Sequence, residues 1–443
     1  MKALINNYKL IRGDLKSSFI IVLFSLNISY LIYLGSSSAF CFFIFFSILS
    51  LFYSGRNNNL LLINIGYFTS IFFYEYWDIF YGSHYFGGHL SDDYNFDVRW
   101  TKGYHNKYGI NPIYIFKHLY LVEGGSGVLH NSIGYVYINV FLRYIGDFIG
   151  GHHTLNPRFL NVFFLFQLSV YSGKIAEYYW KNKKIKNTVK YVVFLFPVML
   201  FNSAHIFRDT LISLILVYTF YGYLKYKRNA LFIAFSLILF FLLFYLRKAN
   251  AVILLFTILL LLVSEKKIKQ YFSLSIVTFV VLSILTVSIF SDEILTLINR
   301  YTEMNSERFS GIGGKFFSLP IHIGFIPRLT FLIFVPAIGI GSFYQFILSF
   351  GTISQILFFP FLFFSFWNNK IDLRLRITFI IYFVGVALST ATFRHVMMYL
   401  PFAVILVVYQ FNSTKIRLSK NYIYTLAALI ITFIFSVVLA LVF

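Results

Sequence analysis

The chain has 443 residues, 59% of them hydrophobic and only 12% charged, with a mean hydropathy of +0.75; these values exclude an ordinary soluble domain and mark an integral membrane protein. The net charge of +21 does not point to nucleic acid, because the basic residues cluster between apolar runs, as in cytoplasmic loops that set topology. Cys41 is the only cysteine, which excludes an intramolecular disulfide and a cysteine metal site.

Apolar runs of about 17 to 25 residues recur along the whole length, and only helices satisfy their own backbone groups in such runs. The expected fold is all-α and polytopic, a single transmembrane helical domain over 1–443. About thirteen spans are predicted. In chain order they are 17–35, 38–54, 60–77, 158–180, 191–206, 210–224, 230–246, 250–264, 271–290, 344–367, 377–393, 396–411 and 422–443. The basic start "MKALINNYKLIRGDLK" leads straight into the first span, so no cleaved signal peptide is expected and the first helix stays as an anchor.

Orientation follows from keeping the basic clusters on the cytoplasmic side: Lys2 to Lys16, Arg56, 181–190, 225–229, 265–269, 370–376 and 415–420. The N-terminus is then cytoplasmic, 78–157 form a first external loop and 291–343 a second. Within the first, 132–150 reads as an interfacial amphipathic helix with Arg143 and Asp147 one turn apart. Within the second, 329–341 is too short, and too interrupted by Pro336 and Gly339, to cross alone. It reads as re-entrant or interfacial.

A second set of basic residues opposes this orientation. Arg158, Arg208, Arg247 with Lys248, Arg328 and Arg394 each stand at the outer end of a helix. Arginine costs up to about 2.5 to 3.5 kcal/mol at mid-bilayer, less near the interface, and such residues usually face a partner or a polar cavity. One of them alone is explained by snorkelling; five at one level form the pattern of an anion site. Guanidinium offers a planar fork of donors that matches phosphate oxygens and stays charged in a low dielectric. A lipid-linked phosphate or pyrophosphate at headgroup depth is the ligand this pattern predicts.

Acids fall on the same side. The stretch "GGHLSDDYNFDVRW", 87–100, opens the first external loop with Asp92, Asp93 and Asp97. Three readings stand: a general base for a sugar hydroxyl, a seat for a divalent cation, or a plain acidic turn. In "HIFRDTLISL", 205–214, helical neighbours point about 100° apart. Asp209 there either caps the helix or acts as an acid, while Arg208 reaches the anion. His105, His152, His153, His205, His322 and His395 are also external, without zinc-site spacing, so no metal is assigned. His205 and His395, beside arginines, are candidate acids or bases; ordinary interfacial histidine is the plainer reading for most of the set.

The acidic "SDDYNFDV" at the opening of an external loop resembles the GT-C glycosyltransferases, as do the amphipathic stretch after it and the arginine that begins "NPRFLNVFFLFQL". The whole chain is closer to the Wzy-type O-antigen and capsule repeat-unit polymerases, with aromatic-rich helices, two outer loops, and "FRD", "LRKAN" and "RHVMMYLP" at outer helix ends. The resemblance implies an enzyme of the bacterial inner membrane that joins repeat units at the outer leaflet. It would move a glycan from one undecaprenyl pyrophosphate to a hydroxyl of another lipid-linked unit. On that reading Arg158, Arg208, Arg247, Arg328 and Arg394 hold the pyrophosphate, and Asp92, Asp93, Asp209 or His395 takes the proton. The implied partners are the lipid-linked oligosaccharide, membrane lipids and a chain-length regulator, without nucleic acid. No cofactor is implied, because the substrates arrive on lipid. The second reading is a GT-C transferase that adds one sugar from a polyprenyl phosphate, with a divalent cation at Asp92 and Asp93. The third is a flippase of lipid-linked oligosaccharide, disfavoured because the charges gather at outer ends and not mid-span.

Overall fold

The computed structural model describes residues 2–111, 132–226, 229–263, 315–316, 319, 321–334, 342–389, 394–413 and 420–442. The expected span 271–290, the side chains of Lys248 and His322 and much of 291–343 lie outside the described residues. Every regular element among the described residues is helical. The helices are α1 (Lys2–Tyr33), α2 (Ser37–Leu51), α3 (Arg56–Tyr81), α4 (Ile133–Phe148), α5 (Leu155–Trp180), α6 (Lys183–Leu195), α7 (Pro197–Ser203) and α8 (Asp209–Tyr226). They continue with α9 (Ala230–Leu246), α10 (Lys248–Val263), α11 (Ile321–Phe334), α12 (Phe343–Trp367), α13 (Leu373–Ser389), α14 (Leu400–Ser413) and α15 (Lys420–Val442).

Four described helices are long and apolar enough to cross a membrane: Lys16–Tyr33 within α1, then α5, α12, and Lys420–Leu441 within α15. The helices α2, α9, α10, α11 and α14 are apolar too, but run 14 to 17 residues. That is about 21 to 26 Å, short of a hydrocarbon core of about 30 Å. The apolar surface of α15, with Ile431, Ile434, Phe435, Val438 and Leu441 exposed, suits a lipid environment.

The expected span 191–206 is two helices, α6 and α7. Pro197 supplies no amide to the preceding turn, and Phe196 before it is extended (φ −61, ψ 126), so the first helix stops and a new one starts with proline in its first turn. The stretch 329–341 also differs from expectation. Its first residues, to Phe334, belong to α11, which begins at Ile321 and carries Pro327 inside it.

The described residues form two compact units. The first comprises Met1–Val170, Phe194–Ile215 and Tyr245–Arg247. Its core is aromatic: Phe43 of α2, Tyr67 of α3 and Phe159 of α5 meet at centroid separations of 4.7 to 6.3 Å, and Phe46 stacks on Phe163. Each such pair adds about 0.5 to 1.5 kcal/mol beyond its buried area. Gly66 lets α3 and α5 approach, since a Cβ there would lie 2.4 Å from Val162 Cγ1. Polar ties hold α1 to α3: Asn27 Nδ2 donates to Asn64 O at 3.1 Å, and the Tyr30 hydroxyl donates to Glu75. Buried Asn59 donates to the carbonyls of Ser50 and Tyr53, which satisfies the end of α2.

The second unit comprises Tyr171–Val193, Leu216–Phe244 and Lys248–Phe443. Phe334 of α11 stacks on Phe433 of α15 at 3.9 Å, and the Thr330 hydroxyl donates to Ser436 Oγ. Tyr399 donates to Gln355 Oε1 at 3.0 Å, tying the start of α14 to α12. Trp180 stacks on Tyr409 at 4.0 Å.

Candidate functional site

In the first unit, α3 ends at Gly82, whose φ of +61 turns the chain out of the helix. Ser91 then caps a new helical stretch, accepting from Tyr94 N at 3.2 Å. Asp92 and Asp93 lie in its first turn, where acidic side chains complement the partial positive charge of the helix start. The stretch continues through a π-helical turn, Asn95–Lys102, to Gly103–Tyr108.

Asp92 is half-buried, whereas Asp93 has no exposed surface and accepts three hydrogen bonds. Oδ1 accepts from Ile206 N at 2.6 Å; Oδ2 accepts from Phe86 N at 3.0 Å and from Arg158 Nη2 at 3.0 Å. Arg158 is equally buried. It also donates to His84 O at 2.5 Å and Ala204 O at 3.4 Å, and its guanidinium lies 6.0 Å from the centroid of the Tyr74 ring. Burial raises the Asp93 carboxyl above the usual range, although the Arg158 charge opposes it. The proposed base and the first proposed pyrophosphate arginine are thus partners of each other. Both Asp93 oxygens already accept from protein donors and the side chain has no exposed surface, an arrangement that does not favour a metal seat at Asp92 and Asp93. Among the described residues, no group of three or more His, Cys, Asp or Glu side chains is placed to hold a metal ion.

The opening of α8 repeats this pairing. Arg208 O accepts from Ile212 N at 3.1 Å, so Arg208 stands at the cap position and Asp209 in the first turn. Asp209 is buried and lies 3.5 Å from Arg247 Nη1, itself buried at the end of α9. Arg208 is half-buried. His205 is committed on both ring nitrogens: Trp77 Nε1 donates to Nε2 at 2.7 Å, and Nδ1 lies 2.7 Å from Phe201 O. An accepting Nε2 assigns the proton to Nδ1, a neutral ring with no nitrogen left for acid–base work. Asn161 Nδ2 donates to His205 O at 2.6 Å and Phe207 O at 3.0 Å, which pins the turn that carries Arg208.

One turn beyond Asp93, Asp97 organises a second cluster. Its Oδ2 accepts from Tyr85 OH at 2.8 Å, and its Oδ1 lies 2.8 Å from His152 Nε2 and 3.8 Å from Arg143 Nη1. Burial raises the Asp97 carboxyl, but the hydrogen bonds from His152 and Tyr85 outweigh it, leaving it below the usual carboxylate range. The helix α4 brings Arg143 here by burying Tyr135, Val136 and Val140, with Tyr135 edge-on to Phe96 at 5.0 Å. At 16 residues it spans about 24 Å. The Arg143 and Asp147 pair is formed at 4.0 Å. The four-residue spacing of Asp93 and Asp97 and the Gly150–Gly151 turn before His152 were visible signals, but neither shows which distant partner each side chain meets.

In the second unit, Arg328 is buried and donates to Leu319 O at 3.1 Å and to Phe316 O at 3.5 Å, so it caps a turn of its own chain. Arg394 is half-buried and His395 buried, at the 3-10 turn His395–Met398 that precedes α14. An apolar cavity of about 290 Å³ lies among Phe358, Phe359, Phe379 and Phe383, with Gln355 and Tyr399 as its polar lining residues. It includes none of the candidate charged residues.

Compared with family models, curated proteins and solved structures, the chain matches none.

Proposed function

We propose that the chain is a polytopic membrane glycosyltransferase that joins lipid-linked saccharide repeat units, with a lipid pyrophosphate held by Arg208. On this reading the remaining apolar helices also cross, about thirteen in all, and the end carrying 78–157 faces the outer side of a bacterial inner membrane. The observation that supports it is a difference in exposure among three arginines of the first unit. Arg158 pairs with Asp93 and Arg247 with Asp209, all four buried, while Arg208, next to Asp209 in the chain, remains half-buried. Of these three, Arg208 is the one that keeps exposed surface, so its guanidinium is the one a phosphate ligand can reach. Charge builds on the leaving phosphate oxygens as the glycosidic carbon departs. A preorganised donor aimed there stabilises the transition state by about 3 to 4 kcal/mol in comparable oxyanion sites.

Deleting the gene and complementing it with Arg208→Ala tests this. Wild type is expected to restore full-length polymer, and Arg208→Ala to leave lipid that carries one repeat unit on an electrophoretic gel. Full-length polymer from Arg208→Ala overturns the assignment. The second reading, transfer of one sugar from a polyprenyl phosphate, is favoured by the acidic stretch directly after α3; it predicts a truncated repeat in the deletion strain.

A further inference from the structure

His152 stands in the turn between α4 and α5. Gly150 and Gly151, with φ of +125 and +111, make the turn. Gly146 faces it closely, since a Cβ there would lie 3.1 Å from His152 Cα. The backbone amide of His152 donates to Asp147 Oδ1 at 2.9 Å, so the residue is anchored independently of its ring. The ring is 4% exposed and its Nε2 lies 2.8 Å from Asp97 Oδ1, whose own side chain is 3% exposed. The second ring nitrogen, Nδ1, is buried with no hydrogen-bond partner.

These contacts assign a tautomer. The ionised Asp97 is an acceptor only, so the proton sits on Nε2 and Nδ1 presents a lone pair. A buried acceptor left unpaired is costly, and a catalytic role is one of the explanations such an atom has in native proteins. Tyr85 and Thr154 lock Asp97 from the other side, through Tyr85 OH at 2.8 Å to Oδ2 and 3.2 Å to Thr154 Oγ1.

Resting on the glycosyl-transfer reading, we propose that His152 Nδ1 is the general base for the acceptor sugar hydroxyl and that Asp97 is its positioning residue. The hydroxyl proton passes to Nδ1 as the oxygen bonds to the anomeric carbon. The bond from that carbon to the phosphate oxygen breaks, and its electron pair leaves with the phosphate. The resulting imidazolium is stabilised by Asp97 and loses its proton to solvent after product departs. Nδ1 is covered in the unliganded fold, so acceptor binding uncovers it; catalytic contacts of this kind often close only in the substrate complex. The groups facing the ring and its partners are Asp97, Arg143, Asp147, His105 at 3.6 Å from Asp147, the adjoining His153, and Tyr85.

The test uses full-length protein in liposomes, with the lipid-linked saccharide extracted from the deletion strain as both donor and acceptor. Transfer of any saccharide is read by gel across pH 5 to 9. Wild type is expected to lose rate on the acid side as an imidazole protonates. His152→Gln is expected to fall about 10²- to 10⁴-fold and to lose that acid limb, at unchanged KM. Asp97→Asn is expected to fall and to shift the limb. A His152→Gln rate and profile equal to wild type overturns the base assignment while the transfer reading stands. Wild-type protein that transfers nothing overturns both. Should His152→Gln fail to fold, a wild-type profile with no ionisation in the imidazole range, about pH 5 to 8, overturns the assignment by itself.

Discussion

Arg158 Nη2 lies 3.0 Å from Asp93 Oδ2, with neither side chain exposed, across 65 residues of sequence. The pair joins the loop after α3 to the start of α5, and the Asp93 bond to Ile206 N brings in the turn before α8. One carboxylate therefore holds three distant segments together. Taking two charges out of water is expensive, and leaving one behind without its partner is more so.

Arg158→Ala and Asp93→Ala are each expected to destabilise the protein by about 3 to 5 kcal/mol, the usual cost of stranding one member of a buried pair. The double replacement with Met and Leu is expected to cost less than the sum. Thermal unfolding in detergent measures all three, and wild-type stability in Arg158→Ala would show that the pair does not hold the loop.

Arg208→Ala separates chemistry from folding. Arg208 keeps exposed surface, and replacing such a side chain usually changes stability by about 0.5 kcal/mol or less, so its melting temperature is expected to match wild type while chain extension is lost. Arg247→Ala is expected to lower the melting temperature, because Asp209 is left buried opposite it.

Stability is expected to fall between neutral and acid pH through His153. Burial first, then the neighbouring His152, lowers its pKa to about 4, against an unfolded value of about 6.5. Between those values the unfolded chain binds a proton that the folded chain refuses, so stability is lost as pH falls from about 6.5 to about 4. Asp97 adds a loss at lower pH. Its depressed folded pKa gives stability that is full above about 3.9 and disappears as pH falls through the folded value. His153→Asn keeps an acceptor for Leu155 N, bonded at 3.2 Å in the native chain. It is expected to shrink the difference in melting temperature between pH 7 and pH 5; an unchanged difference would remove His153 as the cause.

Gly66→Ala is expected to cost about 1 to 3 kcal/mol as an overpacked contact. The added carbon would lie 2.4 Å from Val162 Cγ1 and 3.2 Å from Phe194 Cζ, and a short branched valine cannot swing clear. Chemical denaturation of the purified variant checks this.

By itself the sequence determined the helical class, the apolar helices, the amphipathic α4 with its Arg143 and Asp147 pair, and the concentration of Asp92, Asp93 and Asp97 after α3. Hydropathy and four-residue spacing are local quantities, so they can be read along the chain. Pro197 was local too, and weighing its missing amide would have divided 191–206. Only the tertiary structure decided who meets whom: Asp93 with Arg158, Asp209 with Arg247, and Asp97 with His152, 55 residues apart. Five helix-end arginines looked alike because charge and helix position are the same for each. Packing distinguished them, burying Arg158 and Arg247 against carboxylates and Arg328 against backbone carbonyls while Arg208 and Arg394 stayed partly exposed. The physical reason is that a charge can be buried only where a partner from another segment arrives, and that arrival is a property of the folded chain.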